Sequence, residues 1–208
     1  MDSQRRRFVI LFVFVCIVFI FPRISSANFR EGFGLQGGFY SPSEDSTNSI
    51  YGSGPMFGVQ YKLAISTQTG LVTSVGVLQK QGNPYNDSTF IDTDPSSSLT
   101  FIPVEISYIV NLIPNPSETT RRVNSLYVGV GVNHVWTRER APGSPLTKGN
   151  AFGSQLLVGT TFSVSKGFDL GLELKYMVNR PLMKLDTGRD YDVELNGVQA
   201  QMTFGWHF

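Results

Sequence analysis

Four charged side chains stand out because each lies on the polar face of a stretch in which apolar and polar residues alternate: Lys62, Glu105, Glu173 and Lys175. Side chains of a β-strand point alternately to opposite faces of a sheet, so these four share a face with glycines and glutamines. Buried charges are costly unless they are paired. We therefore expect the two lysines to bind the two glutamates inside the protein, as a structural ion-pair cluster.

Candidates for catalysis are few. A serine hydrolase requires a histidine close to a serine and to an acidic partner, and the chain contains two histidines, His134 and His207. His134 falls on the apolar face beside Trp136, and His207 is the penultimate residue. Because neither has a serine and a carboxylate in register with it, the sequence predicts no catalytic residues and no enzymatic activity.

Metal and nucleotide motifs are equally sparse. Asp87, Asp92 and Asp94 form an acidic group that suits calcium, but acidic residues in a solvated loop are the simpler interpretation. The glycines within 32–37 have the spacing of a dinucleotide-binding loop, yet this segment alternates like a strand and is not followed by a recognisable helix. We expect no metal and no cofactor.

The first 27 residues differ from the rest of the chain. An arginine run precedes an apolar run over residues 8–21, and small residues at 25–27 suit a signal peptidase. This apolar run is shorter than the roughly 20 residues that a membrane-spanning helix needs. The sequence therefore predicts a cleavable signal peptide at 1–27 and one mature domain at 28–208. Cys16, the only cysteine, would leave with the signal, so we expect no disulfide.

The net charge excludes one class of partner. Without residues 1–27, which hold four arginines and one aspartate, the net charge falls from +1 to −2. A nucleic-acid-binding domain carries a basic surface, so we expect no nucleic-acid partner.

The elements that must position these residues are strands. After residue 27 the chain shows eight stretches of about 10 to 13 residues in which apolar and polar residues alternate, separated by clusters of Gly, Pro, Asn, Asp and Ser. The last stretch is the clearest, because every second residue from Val198 to Phe208 is apolar. Such stretches predict strands with one apolar and one polar face.

The connections between these stretches alternate in length. The short ones are 67–69 and 166–167, and 111–123 is the exception, a longer turn that contains Pro114 and Pro116. The long ones are polar: 41–53, 81–98, 138–150 and 180–192. Long external loops that alternate with short turns, and aromatic residues near both strand ends, are typical of membrane barrels. The sequence therefore predicts an all-β fold, an eight-stranded antiparallel up-and-down transmembrane β-barrel, whose edges must close in lipid.

Two segments carry a resemblance to a known family. The stretch 99–108 and the terminal segment Phe204-Gly-Trp-His-Phe208 resemble the small bacterial outer-membrane β-barrel family related to the transmembrane domain of OmpA. The resemblance implies a location in the bacterial outer membrane, in contact with lipid and lipopolysaccharide. It also implies that Phe204, Trp206 and Phe208 form the assembly signal read by the barrel-assembly machinery. The chain departs from OmpA because no peptidoglycan-binding domain follows the barrel.

Three functions are compatible with such a barrel. A polar, plugged interior favours a structural or envelope-integrity role, in which the external loops contact surface ligands. Many inward glycines leave open a narrow channel or carrier for small molecules. Some small barrels of this kind modify lipid A, which is the third alternative.

Overall fold

The computed structural model describes residues 31–66, 68–82, 97–112, 124–140, 146–165, 167–184 and 190–207. The predicted signal at 1–27, the acidic residues Asp87, Asp92 and Asp94, and Phe208 lie outside the described residues. Within the described ranges the chain forms these elements: β1 Gly32–Pro42, α1 Asp45–Tyr51, β2 Gly54–Ala64, β3 Thr69–Gly82, β4 Ser97–Asn111, β5 Asn124–Arg140, β6 Thr147–Ser165, β7 Phe168–Val178, β8 Leu182–Lys184, β9 Asp190–Asp192 and β10 Gly197–His207.

Eight long strands form one closed ring. Strands β1 to β7 pair antiparallel with their neighbours in the sequence, and β10 pairs with both β7 and β1. The β1–β10 pair runs from Gly32 opposite His207 to Pro42 opposite Gly197, so neither strand is left with an open edge. The eight-stranded antiparallel up-and-down barrel predicted from the sequence is confirmed.

Four of the ring strands, β3 to β6, are longer than the alternating stretches. The ring strands contain 11 to 19 residues, and β6 is the longest. Alternation marks only the part of a strand that has an apolar environment on one side. At the long-loop end, pairing continues where polar residues follow one another, as at Arg138 opposite Lys148.

Strands β8 and β9 prolong β7 and β10 beyond the ring. β8 pairs with β6 in the same register as β7 does, and β9 pairs with β8 in the register of the β7–β10 pair. Between the strands, the Leu195 amide donates to the Asn179 carbonyl at 2.9 Å, and the Val193 amide donates to the Pro181 carbonyl at 3.1 Å. The region 180–192, expected as a polar loop, is therefore partly a continuation of this hairpin.

Side-chain parity gives the barrel an apolar outside and a packed inside. On β5, Val130 and Val132 are 58% and 57% exposed, whereas Asn133 and Val135 are 2% and 0% exposed. Exposed aromatic residues lie at both ends of this apolar belt, as the sequence predicted. Those nearer the long loops are Phe39, Phe57, Trp136, Phe152 and Tyr176, and those nearer the short turns are Phe33, Tyr108, Phe204 and Trp206.

Helix α1 is an addition to the predicted fold. It forms within 41–53, which the sequence analysis assigned to a polar loop. The glycines of 32–37 lie inside β1 and not at the start of α1, so they form no phosphate-binding turn with it. No helix among the described residues is long and apolar enough to cross a membrane.

Candidate functional site

The interior of the barrel contains a layer of buried polar side chains at mid-height. Every long strand contributes to this layer, because an inward position near the middle of each strand carries a polar residue. Each member is at most 6% exposed. The members are Gln36, Gln60, Ser74, Glu105, Asn133, Gln155, Glu173, Lys175, Gln199 and Gln201.

Lys175 lies at the centre of this layer. Its ammonium group forms ion pairs with the carboxylates of Glu105 and, at 3.3 Å, Glu173. Glu105 lies on β4 and Lys175 on β7, which are not neighbours in the ring, so their ion pair crosses the lumen. Glu173 and Lys175 share β7 and lie two residues apart, which places both on its inward face. We call Glu105, Glu173 and Lys175 the lumen triad.

Uncharged side chains bind both carboxylates of the lumen triad. Glu105 accepts a hydrogen bond from the Ser74 hydroxyl at 2.8 Å. Glu173 accepts hydrogen bonds from the Tyr127 hydroxyl at 3.0 Å and from the Gln201 amide at 2.6 Å. These bonds partly replace the water that each carboxylate loses on burial. Tyr127 was not singled out in the sequence, because its contribution depends on a contact between β5 and β7.

Lys62 occupies a different place from the one expected. The sequence suggested that it pairs with Glu105 or Glu173, whereas its ammonium nitrogen lies 5.3 Å from the centroid of the Tyr127 ring. Among the described residues it forms no ion pair within 4.0 Å. A cation over an aromatic face is attracted by the ring quadrupole. The structure therefore brings three of the four predicted charges together and connects the fourth to them through Tyr127.

Two apolar clusters cover the polar layer. At the short-turn end the cluster consists of Val72, Ile109, Tyr127 and Leu157. At the long-loop end it is larger: Tyr40, Tyr51, Met56, Leu78, Leu99, Phe101, Val135, Met177 and Leu195. In this larger cluster the rings of Tyr40 and Phe101 stack with centroids 5.2 Å apart. The expectation of a polar interior is therefore corrected, because the polar layer is one of three and apolar side chains fill the lumen above and below it.

Contacts of the first external segment hold the long-loop end closed. The Tyr40 hydroxyl donates to the Leu195 carbonyl at 2.6 Å. In α1, the Thr47 hydroxyl donates to the Glu194 carbonyl at 3.0 Å, and the Tyr51 hydroxyl donates to the carboxylate of Glu139. Helix α1 is thus bound to β5 and to the segment before β10, on two parts of the rim.

His207 has neighbours that the sequence did not reveal. Its Nδ1 lies 3.1 Å from the carboxylate of Asp169, and that carboxylate accepts a hydrogen bond from the Ser163 hydroxyl at 2.7 Å. The His207 Nε2 accepts a hydrogen bond from the Gly167 amide at 3.1 Å. In a hydrolase the serine donates to the histidine, and the carboxylate binds the other ring nitrogen. Here the serine binds the carboxylate instead, so the arrangement ties the β6–β7 turn to β10.

His134 lies outside the barrel. Its ring packs against those of Trp136 and Phe152, with centroids 4.4 Å away in both cases. This outward position agrees with its place on the apolar face, beside Trp136, in the sequence. Aromatic rings at strand ends are typical of membrane interfaces.

A cavity of about 30 Å³ lies at the short-turn end and is lined by Gln60, Lys62, Asp169 and His207 among others. Such a volume holds about two water molecules. Among the described residues, no three His, Cys, Asp or Glu side chains are grouped so that they could hold a metal ion.

The described part of the predicted assembly signal lies on the outer face. Phe204 and Trp206 are both exposed on β10. Phe168 packs beside them, with ring centroids 6.4 Å from Phe204 and 5.8 Å from Trp206. Together they form an aromatic patch near the short turns, next to Phe208, which lies outside the described residues.

No protein-family model and no curated protein sequence matches this chain. Solved structures do match it. The outer membrane protein OprG from Pseudomonas aeruginosa is 14% identical with a TM-score of 0.62, over 88% of this chain and 98% of that one. Neisserial surface protein A is 13% identical with a TM-score of 0.59, over 86% and 97%.

A third match was determined in a membrane. The outer membrane protein AlkL in DMPC lipid bilayers is 11% identical with a TM-score of 0.55, over 90% of this chain and 95% of that one. At these identities the likeness is one of fold. The chain therefore has the fold of small bacterial outer-membrane β-barrels.

Proposed function

We propose that this chain is a bacterial outer-membrane protein with a closed interior, which supports the envelope and contacts surface partners through its long loops. The observation that carries the proposal is the placement of charged side chains inside the barrel and of apolar side chains on its outer surface, the opposite of a protein that folds in water. Charged and amide groups form the middle layer of the lumen, between two apolar clusters, while valines, leucines and aromatic residues cover the outside. A contiguous apolar surface is costly in water and favourable in lipid. A closed ring satisfies the backbone hydrogen bonds that lipid cannot.

Export completes this proposal. Residues 1–27 have the arginine run, apolar run and small residues of a signal peptide. Such a signal directs export across the inner membrane, which a location in the outer membrane requires. The role of Phe204, Trp206 and Phe208 in recognition by the barrel-assembly machinery stays a prediction, supported by the exposed aromatic patch on β10.

We expect the mature chain to fractionate with outer membranes and to begin at Asn28. The measurement is density-gradient separation of inner and outer membranes from cells that express the full chain, followed by mass spectrometry of the N-terminal peptide. A soluble protein exported by the same signal serves as the control for leakage. Recovery of the chain in the soluble periplasmic fraction would contradict the membrane proposal.

The closed interior favours a structural role over a channel. The lumen triad crosses the middle of the barrel, and apolar clusters fill the levels above and below it. An ion that crossed would have to displace these packed side chains. The observed contacts favour a function without catalysis, because Ser163 binds the carboxylate of Asp169 beside His207, and the ring of His134 packs against Trp136 on the outer face.

Planar lipid bilayers that contain the purified chain are expected to show no stable ion conductance. The variant Tyr40→Ala/Phe101→Ala removes the stacked pair of the upper cluster and should leave the polar layer to block conduction by itself. A general porin in the same bilayer is the positive control. Discrete, reproducible conductance steps from the unmodified chain would favour the channel alternative.

A further inference from the structure

Three cations occur side by side on the outer surface at the long-loop end of the barrel. In the strand register, Arg138 of β5 lies opposite Lys148 of β6, and Lys148 lies opposite Lys184 of β8. All three side chains are exposed and have the outward parity of the apolar belt. We call them the cationic row. Glu139, next to Arg138, points inward and binds Tyr51.

Such a row is unfavourable by itself. Like charges directly opposite each other on neighbouring strands are destabilising. Lys148 has a cation on both sides, while the outer neighbours are Thr100 opposite Arg138 and Asp190 opposite Lys184. Among the side chains that the structure describes, which do not include that of Asp190, none forms an ion pair with the three cations. An anion bound across the row would remove this repulsion.

The next residues toward the belt are mainly apolar. Two residues closer to the apolar belt on each strand, Ile102 lies opposite Trp136, and Leu182 lies opposite Asn150. Trp136 and Leu182 are exposed, and below them Phe152 is 83% exposed. The two rows are about 7 Å apart, since a strand rises about 3.3 Å per residue. We call Ile102, Trp136 and Leu182 the apolar shelf.

The cationic row and the apolar shelf line the same cleft. It has a volume of about 830 Å³ and opens to the outside of the barrel. The cleft extends as far as β8, which continues the pairing of β7 with β6 beyond the break at Pro181. Lysine and arginine bind phosphate through charge-assisted hydrogen bonds, and the shelf is continuous with the apolar belt that acyl chains would cover.

We propose that this cleft binds an anionic membrane lipid, with its phosphate on the cationic row and its acyl chains along the apolar shelf. The inference rests on the proposed function, because a location in the outer membrane places the long-loop end of the apolar belt at the level of the lipid headgroups. The cationic row and the apolar shelf are continuous, so a lipid can contact both with its phosphate and its acyl chains. A soluble anion would contact only the cationic row.

Titration of the purified full chain in non-ionic detergent with diphosphoryl lipid A tests the proposal. Native mass spectrometry measures the bound fraction for every variant, and intrinsic tryptophan fluorescence is a second readout where Trp136 is retained. Lys148→Gln is expected to weaken binding about tenfold, because it removes charged hydrogen bonds at the centre of the row. Arg180→Gln is the matched control, because Arg180 is exposed nearby but already paired with Glu194, and it should change affinity less than about twofold.

Further arms separate the alternatives. Trp136→Phe should retain binding and Leu182→Ser should weaken it, whereas inorganic pyrophosphate should compete only weakly. If pyrophosphate binds as tightly as the lipid, the site is a soluble-anion site and the proposal is overturned. Equal effects of Lys148→Gln and Arg180→Gln would overturn it as well. Heat-modifiable gel mobility shows that each variant is folded, and Lys184→Gln replaces Lys148→Gln if the latter is not.

Failure of the site and failure of the proposed function are distinguishable. A chain that fractionates with outer membranes but binds lipid A equally well without Lys148 refutes only the lipid site. A chain that remains in the soluble fraction refutes the membrane location whatever the titration shows.

Discussion

Lys175→Met is expected to lower the free energy of unfolding by about 3 to 5 kcal/mol, because removal of one partner leaves buried charge without compensation. The substitution would leave Glu105 and Glu173 facing each other in the lumen without the ammonium group that binds both. Urea unfolding of the refolded barrel in lipid vesicles, followed by tryptophan fluorescence, measures the change. An unchanged denaturant slope would show that the variant has the same folded state.

Two variants act as controls for this prediction. Lys62→Met removes a cation that contacts the Tyr127 ring and no described carboxylate, so its cost should be nearer 1 kcal/mol. The triple variant Lys175→Met/Glu105→Gln/Glu173→Gln removes the charges together and should recover much of the lost stability. If Lys175→Met proves as mild as Lys62→Met, the lumen triad contributes little to stability.

The second large effect is expected from Val130→Arg, which should destabilise the folded barrel by about 2 to 4 kcal/mol in a bilayer. Val130 lies on the outer face near the middle of the apolar positions of β5. A guanidinium group there would lose its hydration in the hydrocarbon core. The measurement is reversible unfolding in vesicles of defined thickness.

A residue on the same outer face but at a different depth in the membrane provides the matched control for Val130. Leu126→Arg places the same group on the same strand and face, but near the short-turn end, where the expected cost is about 0 to 1 kcal/mol. Equal costs at the two positions would mean that the outer face does not lie in hydrocarbon. Both costs should vanish in short-chain detergent, which lets a long side chain reach water.

Local alternation was enough to predict the barrel and the direction of its side chains. The period of two placed Glu105, Glu173 and Lys175 inside and Val130 outside, because neighbouring residues of a strand necessarily face opposite ways. Closure followed from the requirement that every strand in lipid be paired on both sides. These conclusions depend on sequence pattern alone.

Contacts between distant strands could not be predicted in the same way. Lys62 and Lys175 have the same charge, and both side chains were expected to face inward. Only the arrangement of strands in the ring puts Lys175 between both glutamates. Inward apolar residues such as Ile109 and Met177 interrupt the polar pattern, and their clustering at two levels depends on the strand stagger. The extension of β7 into β8 was missed because Pro181 resembles a loop signal.

Pairing of β1 with β10, which closes the ring, is expected to be the slowest step of folding. Each other long-strand pair of the ring joins strands that are consecutive in the chain, apart from the β8–β9 excursion between β7 and β10. Such hairpins can form in succession, because each closes a connection that is much shorter than the whole chain. The final pair must join Gly32 to His207 and loses far more chain entropy than any hairpin. Gly38 eases this union, because a Cβ there would collide with the backbone of Ala200 and with Gln201. Until that pair forms, two strand edges remain exposed, and the rate of closure governs how long the chain can aggregate.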